Sequence, residues 1–339
     1  MTKTTPEDEQ QSSPSWLGRL SLMVLLLTVF TLLAGGVYVH SILNRPAIFV
    51  DDQAVIIKLG DGRTMISARL NSVGIEHPML VMRIEEIRRG RGYLPKAGEF
   101  ALPKGTSLSM AMDIIHDGQS IQHQFTAPEG WTSAEIVTAL MADDRLTGAI
   151  TPQPAEGSLL PETYAFTRGT DRGEVIKRMQ SLQEMRFAAL WANRQKNLPI
   201  NSLEEAIILA SIVEKETGLA AERDKVASVF INRLRAGMRL QSDPTVLYGL
   251  RQAGEEVATL LRRHWEHQSP WNTYRIPGLP VTPICNPGEA SLQAVLQPQD
   301  TGYYYFVADG TGGHAFAKTL GEHNRNVRAW QVIKKQQSQ

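Results

Sequence analysis

Residues 20–39 read LSLMVLLLTVFTLLAGGVYV, twenty positions without a charge. Coiled as a helix at about 1.5 Å per residue, they cover about 30 Å, the thickness of a bilayer's hydrocarbon core. The apolar stretch of a cleaved signal peptide is usually about 7–15 residues. The Ala34-Gly35-Gly36 cluster imitates a cleavage region, but the length favours a retained anchor. Lys3 and Arg19 flank one side, and Arg45 is the nearest strong cation on the other. The polar head before the stretch has no material for a domain. The reading is therefore a tail at 1–19, a membrane helix at 20–40, and a body from 41 onward across the membrane, which in a bacterium means the periplasm or outer face.

The body has the composition of a folded protein. Its parent chain of 339 residues is 42% hydrophobic and 21% charged, with 35 basic and 35 acidic residues. A formal net charge of zero argues against a nucleic-acid binder, which needs a basic excess. One cysteine, Cys285, excludes an intramolecular disulfide and a CxxC zinc site. A β-branched strand at 53–58 ends at the turn signal Gly60-Asp61-Gly62. Two helical patterns follow, the second opened by Pro78, and then a strand at 98–102. A helix to about residue 116, a strand at 121–127 and a helix at 131–141 capped by Thr132 or Ser133 come next. Pro152 and Pro154 mark a linker at 145–156. The expectation is an α+β chain with a small module at 41–150 and a second domain at 151–339. The Arg88-Arg89-Gly90-Arg91 cluster reads as a solvated helix end.

Chemistry concentrates in the second domain. Segment 201–218, NSLEEAIILASIVEKETG, opens with Ser202 and Glu205 at capping-box spacing and stops at Gly218. From Ala206 to Val213 every residue but Ser211 is apolar, so the helix is surrounded by protein. Leu203, Ile207, Ala210, Glu214 and Thr217 share one face, and Glu216 points elsewhere. A buried Glu214 would either carry a raised pKa, the condition of a general acid, or form an ion pair with Arg223, Arg233 or Arg239. Downstream, loops at 238–246, 271–274 and 284–288 gather amide, hydroxyl and aromatic groups of the kind that read sugars.

Seven blocks in order carry a resemblance: EGSLLPETYAF (156–166), ASIVEKET (210–217), ERDKVASVFINRL (222–234), MRLQSDPTVLYG (238–249), WNTY (271–274), PICNPG (283–288) and YYYFVADGTGGHAF (303–316). Together they resemble the YceG-like family of endolytic murein transglycosylases, over nearly the whole chain. The resemblance implies an inner-membrane protein with a periplasmic LysM-like module and a lyase domain. It implies cleavage of the β-1,4 bond between N-acetylmuramic acid and N-acetylglucosamine within nascent glycan, leaving 1,6-anhydro ends and terminating strand growth. The family's catalytic glutamate falls on Glu214. Two departures stand out: Trp271 where tyrosine is common, and Val281-Thr282 where the family has proline and glycine.

A lytic transglycosylase needs one acid–base carboxyl, because the C6 hydroxyl of muramic acid serves as nucleophile. Glu162 ranks second among carboxylates, either orienting substrate or the acid or serving a helix cap or turn. Gln241, Ser242, Asn272, Thr273 and Tyr274 are expected sugar contacts, with Glu216 and Asp243 structural. No cofactor or metal is expected; His264-Trp265-Glu266-His267 is one residue short of an inverted zinc motif. The expected partners are peptidoglycan strands and peptidoglycan synthases, with no nucleic acid. Competing readings are a muramidase-type hydrolase with a second carboxylate and a non-catalytic wall-binding scaffold.

Overall fold

The computed structural model describes residues 16–337 apart from residue 91. Most of the expected tail, residues 1–15, and Arg91 of the basic cluster lie outside the described residues. The described chain forms two compact units, Met1–Ile121 and Gln122–Gln339.

The first unit begins with α1 (Trp16–Leu43), among the described residues the one helix long and apolar enough to cross a membrane. Its polar side chains do not break it. Ser21, Thr28 and Thr31 return their hydroxyls to carbonyls four residues back, at 2.9, 2.9 and 2.8 Å. Ile42 and Leu43, at its C-terminal end, are buried. Then come β1 (Gln53–Ile57), α2 (Arg63–Ser72), α3 (Met79–Arg89), β2 (Gly98–Leu102) and α4 (Leu108–Asp117). The expected strand–helix–helix–strand order is present, with β1 and β2 antiparallel from Gln53↔Leu102 to Ile57↔Gly98. Val55, Leu70, Met82, Phe100 and Met112 fill the core between them. The basic cluster departs from its reading. The fully buried Glu85 carboxylate draws in Arg88 at 2.5 Å and Arg89 at 2.8 Å, and Arg89 is itself largely buried. Those hydrogen bonds, from Arg88 above all, hold Glu85 below the usual carboxylate range.

The second unit contains β3 (Gln122–Thr126), α5 (Ser133–Ala142), β4 (Thr163–Thr167), α6 (Arg172–Ala192), α7 (Leu203–Glu216), α8 (Ala220–Arg235), α9 (Asp243–Gln252), α10 (Arg262–Trp265), α11 (Glu289–Leu296), β5 (Tyr305–Ala308), β6 (His314–Ala317) and α12 (Leu320–Gln337). The boundary expected near residue 150 falls inside this unit. The chain leaves β3, passes through α5 and the proline-bearing stretch, and returns to pair β4 with β3 from Gln122↔Thr167 to Thr126↔Thr163. An excursion between paired strands and an interdomain linker have the same composition, so the prolines could not tell them apart. Thr132 caps α5 in a full capping box with Glu135.

Helix α7 is the axis of the larger core. Leu209, Ala210, Ile212 and Val213 are sealed against Phe230 of α8 and Leu292 and Val295 of α11. Each fully buried leucine or isoleucine stabilises the packing by about 1.5–3 kcal/mol. At its start, Ser202 accepts the Glu205 amide at 3.1 Å, while the Glu205 carboxylate reaches the Asn201 amide at 2.6 Å. The cap is thus shifted by one residue from the reciprocal box.

Candidate active site

Ser211, the polar exception in the apolar run of α7, positions the loop that faces Glu214. Its hydroxyl accepts the Ile284 amide at 3.0 Å, and its carbonyl accepts the Cys285 thiol at 3.4 Å. Burial pushes that thiol far up, so Cys285 is an inert core residue. Asn286 extends the anchoring. Its Oδ1 accepts the Leu159 amide at 2.9 Å, and its Nδ2 donates to the Trp131 carbonyl at 3.0 Å. One buried amide therefore ties together loops 128–131, 155–159 and 283–288. At Gly157 (φ +75°) a Cβ would lie 2.6 Å from Pro283, so close loop packing there requires glycine.

Glu214 emerges where those loops meet. Its Oε2 accepts the amide of Gly288, the residue capping α11, at 2.9 Å. The next side chain, Lys215, donates to the Gly130 carbonyl at 3.2 Å, and Gly130 (φ +77°) donates to the Asn286 carbonyl at 3.0 Å. Glu214 is only partly buried, which corrects the expectation of a sealed carboxyl. On the face it shares, Leu203 and Ile207 are partly exposed like Glu214, while Ala210 and Thr217 are buried. Nor does any arginine named beforehand pair with Glu214. Arg233 donates to the Tyr304 and Leu240 carbonyls at 2.7 and 2.6 Å, and Arg239 to the Tyr274 carbonyl at 3.0 Å. The Arg223 Nε is buried without a hydrogen-bond partner among the described residues.

A second carboxylate joins Glu214 from the short segment Pro128-Glu129-Gly130. Glu129 packs its Oε1 against Gly288, so tightly that a Cβ on that glycine would collide with it. Glu129 is exposed as a residue, yet desolvation at its carboxyl and then the neighbouring Glu214 raise its pKa. Nearby, Glu156 accepts the Ser133 amide at 2.8 Å and the Tyr248 hydroxyl at 3.2 Å, and burial raises its pKa as well. A proline-flanked Glu-Gly before a tryptophan was the available signal for Glu129; its contact with Gly288 spans more than 150 residues and was not.

On the other side of α7, Glu216 is the carboxyl that burial drives highest, up to about 7. The Ser242 hydroxyl donates to it at 2.5 Å. Ser242 and Thr273 are buried: the Ser242 amide donates to Thr273 Oγ1 at 2.9 Å, and Thr273 Oγ1 is 2.8 Å from Thr245 Oγ1. Asn272 is also buried, donating to the Trp265 and His267 carbonyls at 3.1 and 2.7 Å and accepting the Tyr274 amide at 3.0 Å. These three build the loop from within. Gln241 and Tyr274 reach its surface. Gln241 is exposed and held at φ +51°, a left-handed conformation unfavourable for a side chain-bearing residue. The Tyr274 hydroxyl donates to Asp243 Oδ1 at 2.7 Å, where the Trp265 indole also donates at 3.0 Å. Burial, then Asp243, push the Tyr274 pKa upward. Glu162 is exposed at the start of β4, its Oε1 accepting the Thr163 amide at 3.0 Å.

The two departures from the family pattern meet in space. The Trp271 indole donates to the Thr282 hydroxyl at 2.9 Å, and its ring lies edge-on to Tyr248 at 5.5 Å. In the histidine string, the Leu261 amide donates to His264 Nδ1 at 2.9 Å. His314 binds Glu222 through its amide at 3.0 Å and its Nδ1 at 2.7 Å, fixing the β5–β6 hairpin to α8.

A helix-borne carboxylate thus lies beside a second carboxylate, with polar loops on both flanks, and the chain belongs to the YceG-like family, whose model matches residues 55–329. Over 173 residues it is 40% identical to the endolytic murein transglycosylase of Bacillus subtilis (strain 168), covering 51% of this chain and 47% of that protein. It is 31% identical over 176 residues to the enzyme of the same name from Streptococcus pneumoniae (strain D39), covering 51% of this chain and 31% of that one. The chain thus spans about half, or less, of the length of the curated relatives it matches. A crystal structure of a yceG-like protein from Listeria monocytogenes shows 29% identity and a TM-score of 0.49, with 81% of this chain and 99% of that one covered.

Proposed function

We propose that this protein is an endolytic lytic transglycosylase of peptidoglycan, a lyase in which Glu214 is acid and then base. The observation that carries the reading is Glu214 itself: a partly exposed carboxyl that follows the buried run 208–213 of α7, fixed by the Gly288 amide. The names of the Bacillus and Streptococcus relatives support the substrate. In the first step Glu214 gives its proton to the glycosidic oxygen as the C1–O bond of N-acetylmuramic acid breaks. As carboxylate it then takes the proton of the C6 hydroxyl while O6 bonds to C1, closing the 1,6-anhydro ring. Ring closure is intramolecular, so orientation supplies much of the acceleration. Gln241 and Tyr274 are the sugar contacts in this reading, and α1 anchors the protein with its body on the periplasmic face. The β1–α2–α3–β2 order supports the LysM-like assignment of the first unit. A protein so placed would cut nascent strands beside their synthases and end their growth.

Glu214→Gln should lower release of anhydro-ended muropeptides at least about 10³-fold with the urea midpoint retained. If the variant still releases them, the assignment fails. Turnover of purified glycan by the wild type excludes a purely wall-binding scaffold. Glu129 favours a second reading, a muramidase-type hydrolase in which it activates water opposite Glu214. Mass spectrometry separates the two, because hydrolysed ends are heavier by one water.

A further inference from the structure

The second unit carries an open groove that neither Glu214 nor the sugar-loop residues occupy. It encloses about 630 Å³ between β4 and α6. Ala165, Leu182 and Met185 give it an apolar lining, and Met185 is 61% exposed. Lys177 and Arg178 stand exposed on its rim.

Strand β4 pairs with β3 in a two-stranded sheet, so its far edge has no strand partner among the described residues. The Ala127 amide donates to the Glu162 carbonyl at 3.0 Å, which sets the alternation. Residues 162, 164 and 166 face β3, and Thr163, Ala165 and Thr167 turn their backbone groups toward the groove. Side chains cover two of those groups: Arg178 donates to the Ala165 carbonyl at 2.8 Å, and Glu162 accepts the Thr163 amide at 3.0 Å. Such covers can exchange for an incoming strand, as in recognition by strand addition. The rim charge favours an anion. Lys177 makes no ion pair among the described residues; Lys177, Arg178 and Arg186 outnumber Glu162, the acidic residue lining the groove, and Glu174 lines the adjoining surface.

The groove leads to the acid. At its end Arg186 binds Glu289 at 2.5 Å, and the residue before Glu289 is Gly288, which donates to Glu214. We propose that the groove holds the acidic peptide stem of muramic acid as an extended strand along β4, with Lys177 and Arg178 receiving its carboxylates. This rests on the peptidoglycan reading above. A stem carries two adjacent carboxylate-bearing residues between small apolar ones and hangs from the lactyl group of the sugar whose bond is cut. Five extended residues span about 17 Å at about 3.4 Å each, and β4 presents five residues.

The test uses the full chain in detergent and the soluble tetrapeptide L-alanyl-γ-D-glutamyl-meso-diaminopimelyl-D-alanine, titrated by calorimetry into the Glu214→Gln variant. Binding is expected, weakened about tenfold by Lys177→Glu or Arg178→Glu and retained by Lys177→Arg. In parallel, wild type and the charge-reversed variants are given stem-bearing strands and strands stripped of stems. The ratio of rates, stem-bearing to stripped, should fall about tenfold in the variants. Absence of peptide binding at several times millimolar concentration overturns the proposal, as does equal binding by the charge-reversed variants. A rate loss shared equally by both strand types also overturns it. If neither strand is cut but the peptide binds, the groove stands and the transglycosylase reading fails.

Discussion

Glu216→Gln gives the sharpest test of how α7 is built. The Glu216 carboxyl ordinarily titrates at 4.5 and is pushed up to about 7 here, burial being the main cause and the Ser242 hydrogen bond opposing it. The folded state therefore holds a proton that the unfolded chain releases. For such a group, the contribution to stability is present below 4.5 and lost as pH rises through about 7. The displacement corresponds to about 3 kcal/mol. Glutamine keeps an acceptor for the Ser242 hydroxyl, now at 2.5 Å, and cannot ionise. Wild type and variant should unfold alike near pH 4.5, and the variant should be more stable by about 3 kcal/mol at pH 8. Urea unfolding in detergent, followed by tryptophan emission, reads this in the second unit, where Trp131, Trp191, Trp265, Trp271 and Trp330 lie. The upward shifts of Glu129 and Glu156 slope wild-type stability in the same direction but cancel in the difference. Parallel stability curves for the two proteins across pH 4.5–8 would refute the reasoning.

Gly288→Ala should push the Glu129 carboxyl from its seat, lowering turnover about tenfold or more and stability by about 1–3 kcal/mol. Adding Glu129→Ala should recover most of the stability, and a cycle of the two changes measured by urea unfolding checks it. Gln241→Gly removes a side chain from a left-handed position (φ +51°), so the midpoint should rise by the equivalent of about 0.5–1 kcal/mol while KM for glycan increases. Trp271→Phe and Thr282→Val, singly and together, should show a coupling of about 0.5–1.5 kcal/mol in the same unfolding assay, because each loses the other's hydrogen bond.

What the amino-acid order disclosed depended on the range of the interactions involved. The cap at Ser202, the β1–α2–α3–β2 order and the span of α1 are local, set by neighbours within a few residues, and all were legible. The β3–β4 pairing was not, since Gln122 and Thr167 are joined across a stretch that reads as a linker. Periodicity assigned Glu214 and Glu216 to different faces of α7, which the structure bears out. It could not say which face would be covered, because coverage comes from loops 238–246 and 283–288. Burial around Glu216 raises it against the opposing Ser242 hydrogen bond, whereas Glu214 is held by the Gly288 amide. Asn272 and Thr273 illustrate the same limit. Their donors and acceptors suit sugars in sequence, but buried groups must satisfy one another first, and both are consumed in holding the loop. Polar residues on a turn thus mark a built loop, and here Gln241 is exposed while Tyr274 reaches the surface with its hydroxyl already given to Asp243. Glu129 is the converse case: a short turn gives no sign of chemistry until Gly288 brings it to Glu214.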